Sequence, residues 1–259
     1  MQHLFSPEGE RALAALARHA PLLAFDFDGT LAPIVSNPDD AAAPPALAEC
    51  LRDLAALRPL AIISGRAVAD VAPRLGFAPQ WVIGNHGAED PERPAVQAAD
   101  ADGRAIEALR HALAVQSAAL EAAGVSVEDK RQSLAFHYRR APDHAAAEAL
   151  IERVLDGLHP ALRTFGGKCV VNVVDAGSRD KGDAVVTLLE RSGSDAAFFI
   201  GDDVNDESVF TRAQPHWLTV RIGRDADSQA MYGLDDQSEV EPMLRKLIAH
   251  LQQAATPTR

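Results

Sequence analysis

The chain reads as an α/β protein, a Rossmann-like doubly wound parallel sheet core with an inserted α+β cap domain. Two patterns predict this. Short apolar runs ending in small or polar residues alternate with Leu- and Ala-rich stretches at helical spacing, and mid-chain a period of two takes over. In order, Leu13 and Leu16 give residues 6–19 a helical period, and the run 22–25 reads as a buried strand entering Asp26-Phe27-Asp28-Gly29. Leu47, Leu51, Leu54 and Leu57 mark a helix. Residues 60–63 form a strand into Ser64-Gly65-Arg66, and 81–83 another into Gly84-Asn85-His86-Gly87. After Pro91 and Pro94 come a helix over 104–122, an extended segment at 125–128 and a cleanly alternating strand over 133–139, together a hairpin. A helix over 145–158 follows, then a further strand or strands, with 168–174 extended. Strand-helix alternation resumes with Val185, Leu188 and Leu189, then with 197–200 running into Gly201-Asp202-Asp203. The expected division is 1–94 for the first part of the core, 95–176 for the insertion and 177–259 for the rest of the core.

At 259 residues and 47% hydrophobic content, the chain has ample material for a buried core. Two cysteines, Cys50 and Cys169, make no disulfide framework and form no CxxC zinc pattern. Glu8, Glu10 and Arg11 interrupt any secretory signal, and nothing approaches the roughly 18 apolar residues of a membrane span. The expectation is therefore a cytoplasmic protein with no membrane partner; the oligomeric state is left open, with a monomer favoured. A formal net charge of -12 argues against nucleic acid, so an anionic small-molecule substrate must be met by local cations.

Asp26 and Asp28 stand two positions apart at a strand end, where residues i and i+2 share a face and both carboxylates can converge. Open α/β sheets bind ligands outside the carboxyl ends of their strands. A second acidic cluster, Asp202, Asp203 and Asp206, also follows a strand, and such acids repel without a cation. Magnesium suits them, because Mg²⁺ takes hard oxygen ligands and keeps several waters. Lys181 at a helix start, with Ser64 and Gly65, supplies donors for phosphate. The alternatives are an Asp/Gly turn of conformational origin, an acidic helix cap at Asp206 and an ordinary surface lysine.

DFDGT, Ser after an apolar strand, Lys and GDDxxD, in that order, resemble the haloacid dehalogenase-like hydrolases over nearly the whole chain. That resemblance implies an aspartate nucleophile and magnesium. Asp26 would attack phosphorus, and Asp28 would protonate the departing sugar oxygen and then activate water. Thr30, Ser64, Gly65 and Lys181 would hold the phosphoryl group. Asp26, the Asp28 carbonyl and Asp202 would hold the metal, with Asp206 in support and Asp203 nearby.

Glu128-Asp129-Lys130 with His137-Tyr138-Arg139, Gly84 through Glu89, and Gly167 through Val171 are similar to the trehalose-6-phosphate phosphatase family in more restrictive motifs. By that similarity His86, Glu128, Lys130, His137, Arg139, Lys168 and Asn172 would meet the sugar, and the reaction would release trehalose and phosphate. Alternation puts Ser133, Ala135, His137 and Arg139 on one strand face, and Lys168, Val170 and Asn172 on one face of a later strand. The chain departs from the family at Asn172, where a Glu is usual, and the stretch from Gly177 to Lys181 runs one residue longer. Asn lacks the charge-assisted bond of a carboxylate, which implies weaker or broader sugar recognition. Phosphatases of other phosphorylated disaccharides or glucosyl compounds, and a non-catalytic phospho-sugar binder or receiver-like switch, stand as alternatives. Asp28 opposes the binder, which needs no general acid two residues from the nucleophile, and the long insertion opposes the receiver-like switch, which needs none.

Overall fold

The computed structural model describes residues 1–35, 37–93, 104–130 and 133–255. In chain order the elements are β1 (Gln2–His3), α1 (Pro7–Leu16), β2 (Pro21–Phe25), α2 (Pro45–Leu57), β3 (Leu60–Ile63), α3 (Val68–Val71) and β4 (Trp81–Ile83). Next come α4 (Arg104–Ala122), β5 (Ser126–Asp129), β6 (Ser133–His137), α5 (His144–Val154), β7 (Leu162–Gly167) and β8 (Val170–Asp175). The chain finishes with α6 (Lys181–Ser192), β9 (Ala196–Gly201), α7 (Glu207–Phe210), β10 (Trp217–Ile222), β11 (Tyr232–Leu234) and α8 (Val240–Ala255). They form two compact units, Met1–Arg93 with Arg179–Arg259, and Pro94–Ser178. Of the expected boundaries, the one at 94/95 lies outside the described residues. Residues 177 and 178 go with the second unit, because Gly177 N donates to the Asp175 carboxylate at 2.7 Å and the Arg163 guanidinium donates to the Ser178 carbonyl at 3.2 Å.

The first unit is built on a seven-stranded sheet ordered β1-β11-β10-β9-β2-β3-β4, every pairing parallel. Its central strands are buried along their whole length. That is why they read as continuous apolar runs, since parallel strands are covered on both faces. Alternation then splits the core. Leu23, Phe25, Phe198 and Ile200 join α1, α2 and α8 on one face, while Leu22, Ala24, Ala197 and Phe199 join α6 and α7 on the other. Each such Leu or Phe contributes roughly 1.5–3 kcal/mol by leaving water. Helix starts are specified locally: Ser6 Oγ accepts Gly9 N–H at 3.2 Å before Pro7, and Asp180 with Asp183 forms a capping box at α6. The box fixes where Lys181 begins its helix.

The second unit carries an antiparallel sheet ordered β5-β6-β8-β7. Leu134, Phe136, Val171 and Val173 pack with residues of α4 and α5 on one face. The opposite face holds a cross-strand row in which Glu128 lies opposite Ala135, Ala135 opposite Asn172, and Asn172 opposite Phe165. β7 lies ahead of the extended segment expected over 168–174, a position the sequence pattern does not mark. Its sequence, Leu-Arg-Thr-Phe-Gly-Gly, ends in two glycines and pairs only because β8 returns beside it. Consequently Lys168 lies not on a strand but in the two-residue turn between Gly167 and Val170, next to Cys169 at φ 60°. The strand expected over 133–139 ends at His137, which leaves Arg139 beyond it.

Candidate active site

The parallel register of β2 and β9 brings distant acids together. Phe25 pairs with Ile200, Asp26 N–H donates to the Ile200 carbonyl at 3.0 Å, and the two strands release Asp26 and Asp202 side by side at one edge of the sheet. Asp26, Asp202 and Asp206 are all buried, and each offers a carboxylate oxygen within 4.8 Å of the others. From the start of α6, Lys181 Nζ donates to Asp26 at 2.6 Å and to Asp206 at 2.7 Å, with its side chain only 2% exposed. Thr30 Oγ1 donates to the other Asp26 oxygen at 3.2 Å. Just past the next strand, β3, Ser64 is buried, and its hydroxyl accepts Arg66 N–H at 3.1 Å.

Burial works against charge at these groups, and the neighbours decide the balance. At Lys181, Asp206 and Asp26 outweigh burial and hold the amine protonated well above the ordinary lysine value. At Asp26, burial raises the carboxyl well above its usual range; Lys181 pulls it down, but Asp206 and Asp202 push it up further. Three buried carboxylates facing one ammonium leave a surplus of negative charge. The donor set is hard oxygen, so it fits a divalent cation of the magnesium kind.

The acidic cluster divides its labour. Asp206 accepts the Asp202 and Asp203 backbone N–H groups at 2.9 Å each through one oxygen and Lys181 through the other, so it organises the turn. Asp203 lies outside the buried trio: its carboxylate accepts Val204 N–H at 2.8 Å and the Asn205 amide at 3.2 Å. The Asp28 carboxylate, also outside that trio, is held by two 2.8 Å bonds from Arg66. His86 folds back over Gly65, its backbone N–H donating to the Ser64 carbonyl at 2.9 Å and its ring so close that a Cβ at Gly65 would meet it at 2.4 Å. Asn85 and His86 both take left-handed backbone angles, φ 48° and 56°. Glu89 steadies that turn by accepting Val68 N–H at 2.9 Å and the Asn85 amide at 3.0 Å.

Residues 24–238 match the family model described as trehalose-phosphatase. The chain belongs to the trehalose-phosphatase family. The trehalose-phosphate phosphatase of Mycobacterium tuberculosis (strain H37Rv) is 36% identical over 264 residues, covering 96% of this chain and 67% of that protein. The chain thus spans about two thirds of that relative. The C-terminal domain of the C. albicans trehalose-6-phosphate phosphatase superposes with a TM-score of 0.79 at 23% identity, covering 92% of this chain and 96% of that one. A haloacid dehalogenase-like hydrolase from B. subtilis superposes with a TM-score of 0.60 at 17% identity, covering 86% and 98%. These two share the fold. The chain is therefore an enzyme, a sugar phosphatase with a haloacid dehalogenase-like fold.

Within the second unit of this sugar phosphatase, His137 Nε2 lies 2.8 Å and Lys130 Nζ 3.7 Å from the Glu128 carboxylate. Arg139 donates to the Lys168 carbonyl at 3.1 Å, so these two meet at the hairpin turn. Asn172 is 4% exposed, and among the described residues its amide nitrogen makes no hydrogen bond. Two polar residues of the first unit carried no sequence signal of their own. Arg66 follows an ordinary Ser-Gly turn, and nothing in its spacing announces a partner at Asp28. Glu89 sits inside a recognised motif, yet its role as acceptor for two loops depends on their proximity. Among the described residues no helix is long and apolar enough to cross a membrane.

Proposed function

We propose that the enzyme is a Mg²⁺-dependent phosphomonoesterase that converts trehalose 6-phosphate to trehalose and phosphate through an aspartyl-phosphate on Asp26. One observation carries the chemistry: Asp26 and Asp202, far apart in sequence, share a buried site with Lys181. Asp26 attacks phosphorus, and the bond from phosphorus to the sugar oxygen breaks as Asp28 gives that oxygen its proton. Water then attacks the phosphorus of the aspartyl-phosphate, passing a proton to Asp28, and the phosphorus–Asp26 bond breaks to free phosphate. Lys181, Ser64, Thr30 and the Gly65 backbone hold the phosphoryl oxygens. Because Asp206 is committed to Lys181 and two backbone donors, the Asp26 and Asp202 carboxylates with the Asp28 carbonyl are the groups that would hold the metal. When bound, Mg²⁺ supplies charge stabilisation to the phosphoryl group.

The disaccharide is assigned to the polar groups of the second unit, with Glu128, Lys130, His137, Arg139, Lys168 and Asn172 as its contacts. Charged and amide groups suit it, since a site built to hydrogen-bond hydroxyls rejects analogues that lack them. The proposal extends to a monomer acting in the cytoplasm, in keeping with the charge and cysteine usage.

The deciding experiment measures phosphate release from trehalose 6-phosphate, sucrose 6-phosphate and glucose 6-phosphate, with Mg²⁺ and with EDTA. Trehalose 6-phosphate should lead, EDTA should abolish release, and Asp26→Asn should be inactive while keeping its circular dichroism. Retained turnover in that variant disproves the nucleophile, and a preference for another sugar phosphate overturns the substrate.

A further inference from the structure

The Asp28 carboxylate is gripped at two points: Arg66 Nε donates to Oδ2 and Nη2 to Oδ1, each at 2.8 Å. We propose that Arg66 is a positioning residue for Asp28, fixing the torsions and plane of its carboxylate for proton transfer to and from the phosphoester oxygen. This rests on the reading of Asp28 as general acid and base.

Asp28 follows its strand in a loop, and its side chain is 35% exposed. Left alone, such a carboxylate samples several rotamers, and a misaligned acid loses much of its effect. A planar guanidinium cures this in a way that a point charge cannot, because two parallel bonds set direction as well as distance. Each oxygen has a second lone pair, so the grip leaves the carboxylate able to exchange a proton.

Arg66 can serve as a reference only if it is itself immobile, and the surroundings make it so. Its side chain is 13% exposed. Nη1 donates to Asp70 at 2.9 Å, Nη2 also reaches the Pro38 carbonyl at 2.9 Å, and the guanidinium lies 5.8 Å from the Phe27 ring centroid. Asp70 is anchored in turn by Arg74 at 2.6 Å, and Arg74 also donates to the Asp39 carbonyl. The backbone N–H of Arg66 donates to Ser64 Oγ, which ties the clamp to the phosphate-binding turn. A surface ion pair would need none of this scaffolding.

The test compares leaving groups. Trehalose 6-phosphate expels a sugar alkoxide that needs protonation, whereas p-nitrophenyl phosphate expels a stable phenolate that hardly does. With Mg²⁺ saturating, Arg66→Lys and Arg66→Ala should lower kcat/KM for trehalose 6-phosphate about 10- to 100-fold, within the share general acid catalysis supplies, and for p-nitrophenyl phosphate at least several-fold less. Asp70→Asn, which loosens only the far side of Arg66, should give a smaller loss with the same selectivity. Guanidinium ion added to Arg66→Ala should restore part of the sugar phosphate rate. In an Asp28→Asn background, Arg66→Ala should add no further selective loss.

Equal losses on both substrates, full activity in Arg66→Lys, or a gain of activity in Arg66→Ala would overturn the proposal. If Arg66→Ala fails to fold by thermal melting, Arg66→Lys and Asp70→Asn decide it by the same selectivity. The Asp28→Asn single variant separates the two levels. If it keeps its rate on trehalose 6-phosphate, the acid/base reading fails; if it is inactive while the Arg66 variants lose no selectivity, only the clamp fails.

Discussion

Gly29→Ala adds one methyl group where the backbone meets Asp202 of the buried acidic trio. Gly29 has φ +81°, and a Cβ there would lie 2.1 Å from Asp202 Oδ2 and 2.5 Å from its Cγ. The left-handed backbone costs an alanine about 1–2 kcal/mol. To regain even a tight 3.0 Å contact, the Asp202 carboxylate must retreat by about 1 Å. That displacement pulls one carboxylate out of the buried trio, and misplacement on this scale can cost about 100-fold in rate. Gly193→Ala separates the two effects: it carries φ +65° at the end of α6, but nothing lies within 4 Å of its added Cβ. Both variants should melt about 2–8 °C lower, as such a loss does in a chain of this size. Only Gly29→Ala should need more Mg²⁺ for half-maximal phosphate release and turn over much more slowly. An unchanged Mg²⁺ requirement and rate in Gly29→Ala would refute the claim that Asp202 is held against Gly29 in the working site.

Lys181→Met removes the ammonium between two buried carboxylates, and breaking a buried pair on one side should cost about 3–5 kcal/mol by chemical denaturation. Much of that loss should reverse on adding Mg²⁺. Asp70 is pulled both ways: burial raises its carboxyl, but the bonds from Arg66 and Arg74 win and hold it below the usual 3.8. A depressed carboxylate stabilises the fold above its unfolded pKa and ceases to do so as pH falls through the folded value. The stability gap between wild type and Asp70→Asn, read by urea denaturation, should therefore be constant from pH 5 to 7 and close below about pH 4; its 40% exposed side chain makes the gap modest. Asn172→Glu should tighten KM for trehalose 6-phosphate if Asn172 meets the sugar, because a carboxylate adds a charge-assisted bond. An unshifted KM would count against that contact.

Local pattern made the α/β class legible. The buried central strands announce themselves because both faces are covered, so 22–25, 60–63 and 197–200 are apolar throughout. Short and edge strands carry weaker marks: β1 and β11 are two and three residues long, and the edge strand β7 ends in paired glycines, so their strand character comes from the neighbours that pair with them. The chemistry-bearing segments were likewise visible, since two acidic clusters each follow a strand and recur with Ser64 and Lys181 in one order along the chain. Their division of labour came only from the family resemblance, because 202, 203 and 206 are the same residue type; the turn sets Asp202 near Asp26, gives Asp203 to a helix cap and commits Asp206 to Lys181 and the backbone.

What the amino-acid order determined alone was the buried central strands, the longer amphipathic helices up to α6 and the reactive segments, because propensity, periodicity and capping act within a few residues. Which groups touch was decided by the parallel register, which sets Phe25 beside Ile200, and by the loops that carry Arg66 to Asp28 and Lys181 between two aspartates. Electrostatic fit depends on distances of about 3 Å, and between groups so far apart along the chain such distances exist only once the sheet has closed.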